Sequence, residues 1–275
     1  MENKKVTVLV NSCDLYEDAW YPFFKLFNTY WTDCPYRVIL NTETKQFSMD
    51  EMKIEVFKGG KDIPWTQRML EALEQVETEY VLFFLEDFFL MSPVNETVLN
   101  EAVACLEQNP EIGAICFDPD SRKELWKTDG IYNTYFTEIT RDSHARVNAV
   151  AALWRKSFLI KVARKKESPW DFELLGTKRA RHYKEKILCL TPESPKVFDF
   201  HIYKSFGYGI TQRKWLPKNK ELFEKYGIEV DFEKLGWFEY TNEKRKKRSK
   251  KELLCLIFKN PKELVEIINN KLKRL

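Results

Sequence analysis

Two adjacent carboxylates, Glu86 and Asp87, close the apolar run Tyr80-Val81-Leu82-Phe83-Phe84-Leu85 and precede Phe88 and Phe89. A short run of this kind, bounded by charge, predicts a strand buried on both faces. Its carboxylates then stand at the strand's C-terminal end, where open α/β sheets bind their ligands and where carboxylate oxygens can meet a ribose or a hard divalent cation. A strand that simply ends in a polar turn is the plainer reading of the same residues. A second acidic pair, Asp171 and Glu173, follows Glu167-Ser168-Pro169-Trp170. Two residues apart, these side chains share a face in extended chain and diverge in a helix. The six cysteines (Cys13, Cys34, Cys105, Cys116, Cys189, Cys255) include no C-x-x-C pair. They fit neither zinc spacing nor a disulfide framework, which predicts reduced thiols in a cytoplasmic protein.

The elements that must position these groups alternate along the chain. Val6 to Val10 predicts a strand closing on Asn11-Ser12-Cys13-Asp14. Asp18 can cap a helix running to about Trp31, with Trp20, Phe23, Phe24, Phe27 and Trp31 on its apolar face and Pro22 tolerated in the first turn. Tyr36 to Leu40 and Ile54 to Phe57 predict the next two strands, the latter ended by Gly59-Gly60. Pro64 opens a helix whose stripe is Trp65, Met69, Leu73 and Val76. Val98 to Leu106 reads as helix and Ile112 to Phe117 as strand. Strands and helices alternating at this spacing imply βαβ units and a mainly parallel sheet. From Asp118 to about Arg146 the pattern breaks into turns. Apolar sequence resumes at Val147 to Leu153, Arg155 to Arg164 reads as a short helix, Gly176 to Arg181 as a basic loop, and Lys218 to Tyr226 as helix.

A chain of 275 residues can bury one large domain, or one domain with an appendage. Eight Trp, twelve Tyr and twenty Phe exceed what a core usually takes, so some could line a groove that stacks on sugars or bases. The start, Met-Glu-Asn-Lys-Lys, runs straight into a strand, so no signal peptide is expected, and no apolar stretch reaches the ~20 residues of a membrane span. The net charge of +3 conceals two surfaces. Residues 241–275 hold twelve Lys/Arg against four Glu, while the preceding 240 residues are net acidic. Lys244-Arg-Lys-Lys-Arg-Ser-Lys-Lys251 marks a boundary. Beyond it Asn260-Pro261-Lys262-Glu263 opens a helix with Leu264, Val265, Ile268, Leu272 and Leu275 on one stripe.

Taken in order, the loop Asn11-Ser12-Cys13-Asp14, the helix start Trp65-Thr66-Gln67-Arg68, the strand ending Glu86-Asp87-Phe88-Phe89 and the stretch Ala151 to Glu173 make a pattern. It resembles bacterial glycosyltransferases of the GT-A fold, the family-2-like enzymes of surface-polysaccharide assembly, over roughly residues 5–240. The resemblance implies a GT-A-like (Rossmann-like) mixed, mainly parallel sheet flanked by helices. Residues 1–117 would form its nucleotide-binding half, 118–240 its acceptor half, and 241–275 a basic, amphipathic helical tail. It further implies transfer of a sugar from a nucleoside-diphosphate-sugar to a saccharide or lipid-linked acceptor, by inversion. Asn11, Ser12 and Asp14 would meet base and ribose, and Arg68 the diphosphate as a planar fork of donors. The alternative for Arg68 is a solvated arm beside Glu71. Glu86 and Asp87 stand where the family carries D-x-D and would hold Mg²⁺ or Mn²⁺, but Phe88 occupies the usual metal position, so a metal-independent enzyme using cationic side chains fits equally. Glu173 is the candidate base, Asp171 its rival, and Trp170 a stacking surface for the acceptor sugar. Tyr208 to Trp215 resembles the segment that closes over the donor, with Arg213 and Lys214 neutralising the departing diphosphate. His201, just upstream, is a phosphate contact or a structural hydrogen-bonder.

Two further readings stand beside this one. The tail, residues 244–275, suits an anionic membrane surface on the inner face of the plasma membrane, or a helix packed on the body or on a second copy in a homodimer. The acidic body and the lack of a nucleic-acid-binding fold count against nucleic acid. The alternative to an enzyme is a non-catalytic nucleotide-sugar-binding or scaffolding relative whose acidic motif has decayed.

Overall fold

The protein, seen in a computed structural model, is described over residues 5–118, 126–200 and 208–239. The first half is built from β1 (Val6–Asn11), a 3₁₀ turn at Asp14–Tyr16, α1 (Glu17–Tyr30), β2 (Arg37–Thr42), β3 (Glu55–Lys58), α2 (Trp65–Glu74), β4 (Tyr80–Leu85), α3 (Glu96–Gln108) and β5 (Ile112–Cys116). β1 and β4 are buried almost end to end, as expected of strands covered by helices on both faces. Phe84 meets Phe23 and Phe27 of α1 on one face, and Phe83 meets Trp65 of α2 on the other. Asn95 caps α3, its side chain accepting the Val98 N–H at 3.2 Å. Pro22 lies beyond the first turn, because α1 begins at Glu17 behind the 3₁₀ turn. It therefore costs one interior hydrogen bond to the Asp18 carbonyl, and its buried ring faces the core.

The second half adds β6 (Thr128–Ile131), β7 (Phe136–Ile139), β8 (Ala152–Arg155), α4 (Lys156–Val162), α5 (Pro169–Ala180) and β9 (Lys186–Leu190). The nine strands lie in the order β3-β2-β1-β4-β8-β5-β9-β7-β6. β8 runs antiparallel to both β4 and β5, and β7 antiparallel to both β9 and β6. Seven of the nine strands therefore point one way, which is the mixed, mainly parallel sheet expected of this α/β chain. The chain leaves β1 toward β2 and β3, then returns to β4 on the opposite side of β1. The switch point of the sheet thus falls between the C-terminal ends of β1 and β4.

Two segments differ from the sequence-based expectation. Gly176 to Arg181, expected as a basic loop, is helical to Ala180 and forms the last turns of α5. Ser168 and Asp171 form a reciprocal capping box, Pro169 opens the first turn, and Arg179 is drawn into the core, so the basic residues continue the helix. Gly176 sits where a Cβ would come within 2.9 Å of Val147 Cγ1, so the glycine serves close packing and does not break the helix. The turn-rich stretch before Arg146 contains β6 and β7. β7 is largely buried against β9, whereas β6 is an exposed edge strand with Gly130 at φ 64° in its bulge.

After residue 207 a small unit forms from β10 (Ile210–Thr211), β11 (Lys214–Trp215) and α6 (Lys218–Lys225). Trp215, Phe223, Phe232 and Trp237 make its aromatic core, which joins the main core through Phe89. Lys234 pairs with Glu17 and Asp18, tying this unit to the start of α1. The basic block, the tail helix and His201 lie outside the described residues. No helix of the described residues is long and apolar enough to cross a membrane. The five described cysteines are free thiols.

Candidate functional site

Because the strands of the first half run in parallel, their following loops collect at one edge of the sheet. Ser12 and Cys13 follow β1, Glu43 follows β2, Glu86 and Asp87 follow β4, and Asp118 follows β5. The two loops nearest the switch point brace each other. Asp14 accepts the backbone N–H groups of Glu43 and Thr44, and Glu43 Oε2 accepts the Asp14 N–H at 3.0 Å. These bonds hold the Asp14 carboxyl below its ordinary range against the cost of its burial. Asp14, expected at the base and ribose, is thus engaged in building the loop that would receive them. Asn11 is wholly buried and accepts from Asn41 Nδ2 at 2.9 Å across the β1–β2 register, while its own Nδ2 meets no partner among the described residues.

Arg68 is an interior residue. It is 3% exposed, its Nη1 donates to the Ser12 carbonyl at 2.9 Å, and Nη2 stands 4.0 Å from Glu43. Glu71 takes its hydrogen bond from Gln67, so the picture of a solvated arm beside Glu71 is corrected. The arm passes Gly59, where a Cβ would lie 2.7 Å from Arg68 Cγ; any side chain there would push the guanidinium from the loop.

Glu86 and Asp87 are both buried, at 6% and 8% exposure. Burial lifts both carboxyls above the ordinary carboxylate range, and the charge of Asp87 lifts Glu86 further. The Ser12 hydroxyl and the Arg68 charge oppose that rise at Glu86, and the N–H groups of Gly209 and Ile210 oppose it at Asp87. Tyr16 is half-buried, and its phenol is driven up chiefly by burial and then by the charges of Glu86 and Asp87, with the Arg213 charge opposing. The 3₁₀ turn, the acidic pair and the tip of the β10–β11 hairpin therefore share one neighbourhood. Arg213 and Lys214 are exposed on that hairpin.

The second acidic pair is helical, so its two side chains diverge. Asp171 accepts from Ser168 N–H and Oγ–H and closes the start of α5. Glu173, one half-turn on, accepts the Ala149 N–H at 3.0 Å. The β4–β8 register ends with Phe83 opposite Ala152, so the chain just before β8 runs beside the end of β4 that carries Glu86. Phe117 N–H donates to Ala151 at 2.9 Å, keeping that chain in the sheet. Glu173 therefore approaches the same edge as Glu86. Trp170 projects from the N-terminus of α5 at 62% exposure.

The brace behind α5 had no sequence signal. Glu167 and Arg179 form a bidentate, fully buried ion pair at 2.7 and 2.9 Å, twelve residues apart. Thr66 at the start of α2 exchanges hydrogen bonds with Glu167, its N–H and hydroxyl donating to the carbonyl and its Oγ1 accepting the Glu167 N–H at 2.9 Å. Asp118, after β5, accepts from the Tyr208 hydroxyl.

A divalent cation of the Mg²⁺ or Mn²⁺ type needs about six oxygen donors. Asp87 Oδ2 is taken by two backbone N–H groups, and Phe88, at the second carboxylate position of a D-x-D motif, is buried against Phe84, Phe200 and Tyr208. Among the described residues no three His, Cys, Asp or Glu side chains form a metal set. The acidic groups at this strand end are therefore Glu86 and Asp87, and one oxygen of Asp87 is already engaged by backbone N–H groups.

No protein-family model and no curated protein matches the chain. Solved structures similar to it include S. aureus TarS 1-349 in complex with UDP-GlcNAc, with a TM-score of 0.46 and 16% identity over 69% of this chain and 57% of that one. A UDP-glucose pyrophosphorylase complexed with UDP-glucose gives a TM-score of 0.47 and 9% identity over 73% and 92% of the two chains. The match spans 36% of the longer TarS chain and 59% of its shorter form.

Proposed function

We propose that the protein is a glycosyltransferase that moves a sugar from a nucleoside-diphosphate-sugar to a hydroxyl of a saccharide or lipid-linked saccharide. The reading is carried by the gathering at one sheet edge of an Arg68-supported loop, the buried Glu86, the cationic hairpin tip at Arg213 and Lys214, and Glu173. Asn11, Ser12 and the Asp14-braced loop hold the nucleoside, and Arg68 keeps that loop in place. Glu86, dehydrated and beside the Ser12 hydroxyl, accepts hydrogen bonds from donor hydroxyls.

In the reaction Glu173 takes the proton of the acceptor hydroxyl. The oxygen attacks the anomeric carbon as its bond to the diphosphate breaks, with inversion of configuration. Arg213 and Lys214 meet the charge on the leaving diphosphate. Asp171 is the weaker candidate base because both groups of its capping box depend on it. Trp170 offers an exposed ring for an acceptor sugar. Residues 244–275 supply a basic surface for an anionic membrane, tested by flotation of full-length and truncated protein with anionic vesicles; equal partitioning of the two removes that role.

Glu173 also holds the Ala149 N–H, an arrangement that favours the second reading, a non-catalytic binding relative. Sugar transfer by wild type and Glu173→Gln decides between them. A general base predicts a loss of about 10²–10⁴-fold in kcat with donor affinity retained. Transfer undiminished in the variant removes Glu173 as the base, and a wild type that binds donor without transfer supports the binding relative.

A further inference from the structure

Asp87 is the junction between the main sheet and the unit after residue 207. Its backbone carbonyl accepts the Gly209 N–H at 3.1 Å, and its Oδ2 accepts the N–H groups of Gly209 and Ile210 at 3.3 and 3.0 Å. Nothing larger than glycine fits there, since a Cβ on Gly209 would lie 2.2 Å from the Phe89 ring. The same short segment is held on two more sides. The Tyr208 ring packs against Phe88 at a 45° tilt with centroids 4.0 Å apart, and its hydroxyl donates to Asp118. The Gly209 carbonyl accepts from the Leu216 N–H at 3.1 Å and from Asn219 Nδ2, closing the base of the hairpin. From that base β10 and β11 run out to a two-residue turn, Gln212-Arg213, in which both residues have positive φ, 50° and 64°. Paired left-handed residues are the turn that matches strand twist in a tight hairpin, and without glycine they persist only where the flanking strands are firmly held. The charges of Arg213, Glu86 and Asp87 all reach Tyr16, Arg213 in the sense opposite to the two carboxylates.

We infer that Asp87 is a positioning residue: its carboxylate latches the β10–β11 hairpin to the end of β4 and so sets Arg213 over the diphosphate position, in place of the cation ligation its position in the motif suggests. The burial of Phe88 fits this division of labour. The acidic motif keeps one carboxylate, Glu86, for the ligand and uses the other to hold the residue that supplies positive charge. The latch stands on the contacts alone, while Arg213's target rests on the donor-site reading above.

Two measurements on the full-length chain test it. Amide hydrogen exchange over residues 208–216 reads the latch without ligand. Asp87→Asn, whose amide oxygen can still accept both N–H groups, is expected to exchange within about threefold of wild type, and Asp87→Ala at least about tenfold faster. Calorimetric binding of UDP, with EDTA and with Mn²⁺, reads the consequence. Asp87→Ala and Arg213→Gln each weaken UDP by about tenfold, the double variant is no worse than either, and Asp87→Asn restores affinity to within about threefold, alike in EDTA and Mn²⁺. Unchanged exchange in Asp87→Ala would overturn the latch. Mn²⁺-dependent affinity lost equally in Asn and Ala variants would make Asp87 a metal ligand and also overturn it. If UDP binds none of the proteins, uridine is not the nucleoside of the donor and the exchange result alone decides the latch.

Discussion

Replacing Glu167 by Gln removes one charge from an ion pair that solvent does not reach. Glu167 and Arg179 are 1% and 4% exposed, and both guanidinium–carboxylate bonds are short. The variant leaves the Arg179 guanidinium with an amide partner and an uncompensated buried charge, a change that costs about 3–5 kcal/mol. At roughly 2–4 °C per kcal/mol for a chain of this size, the melting temperature falls by ~6–20 °C. Replacing both partners, Glu167→Leu with Arg179→Met, removes the charge but strands two backbone groups. These are the Val162 carbonyl, which accepts from Arg179 Nε at 2.8 Å, and the Arg164 N–H, which donates to Glu167 at 3.2 Å. With the pair itself exchanged near neutrality, those groups set a cost of about 1–3 kcal/mol each at most, and less where water reaches Arg164. Urea unfolding followed by tryptophan fluorescence and far-UV circular dichroism measures both. The double variant is expected to lose clearly less than the summed cost of the two single variants, because the second substitution removes the unpaired charge left by the first. A single variant within ~1 kcal/mol of wild type, or a double variant that loses the summed cost of two single ones, would refute the view of this pair as a charge-compensated brace.

Glu86→Gln is expected to stabilise the unliganded protein at alkaline pH. Burial raises the folded-state proton affinity of Glu86, so ionising it costs stability as pH rises above the ordinary glutamate range, each tenfold of affinity counting ~1.4 kcal/mol. The variant and wild type should melt together near pH 5 and separate by pH 8, with the glutamine form higher; a gap independent of pH contradicts this. Gly113→Ala forces a Cβ to within 2.2 Å of Phe158 Cδ1 and should cost about 1–3 kcal/mol by overpacking, measured in urea; a neutral result would show that α4 shifts freely on the sheet. Arg68→Lys keeps charge but loses the fork that reaches the Ser12 carbonyl and Ile63, so UDP affinity should fall about tenfold with little change in the melting of the core; unchanged affinity detaches Arg68 from the site.

Much of the first half was legible because local pattern decides it. The Tyr80–Leu85 run had to be a covered strand, its carboxylates had to fall at the strand's end, and the Trp65–Met69–Leu73 stripe had to face the sheet. Arg68 was visible as a cation at the right place, but its burial was not, since that depends on the gap left by Gly59 in another segment. The second half was harder. β8 enters the sheet antiparallel between β4 and β5, a pairing across long sequence separation that no local spacing signals. Gly176 and three basic residues looked like a loop until the Glu167 carboxylate gave Arg179 a reason to be buried. Asp87 was read as a ligand group because backbone partners such as Gly209 and Ile210 leave no trace in composition or periodicity.

The central claim is that the edge between β1 and β4 binds a nucleoside-diphosphate-sugar. Saturation-transfer or calorimetric titration with a panel of UDP-, GDP-, dTDP- and CMP-linked sugars, on wild type and on Ser12→Trp, tests it most directly, because Ser12 stands beside Glu86 and an indole there would displace a ligand bound against that carboxyl. The account predicts that one donor class binds wild type at micromolar to sub-millimolar concentration and loses at least about tenfold in the variant. Binding of no donor by the folded wild type, or binding that Ser12→Trp leaves unchanged, would contradict it.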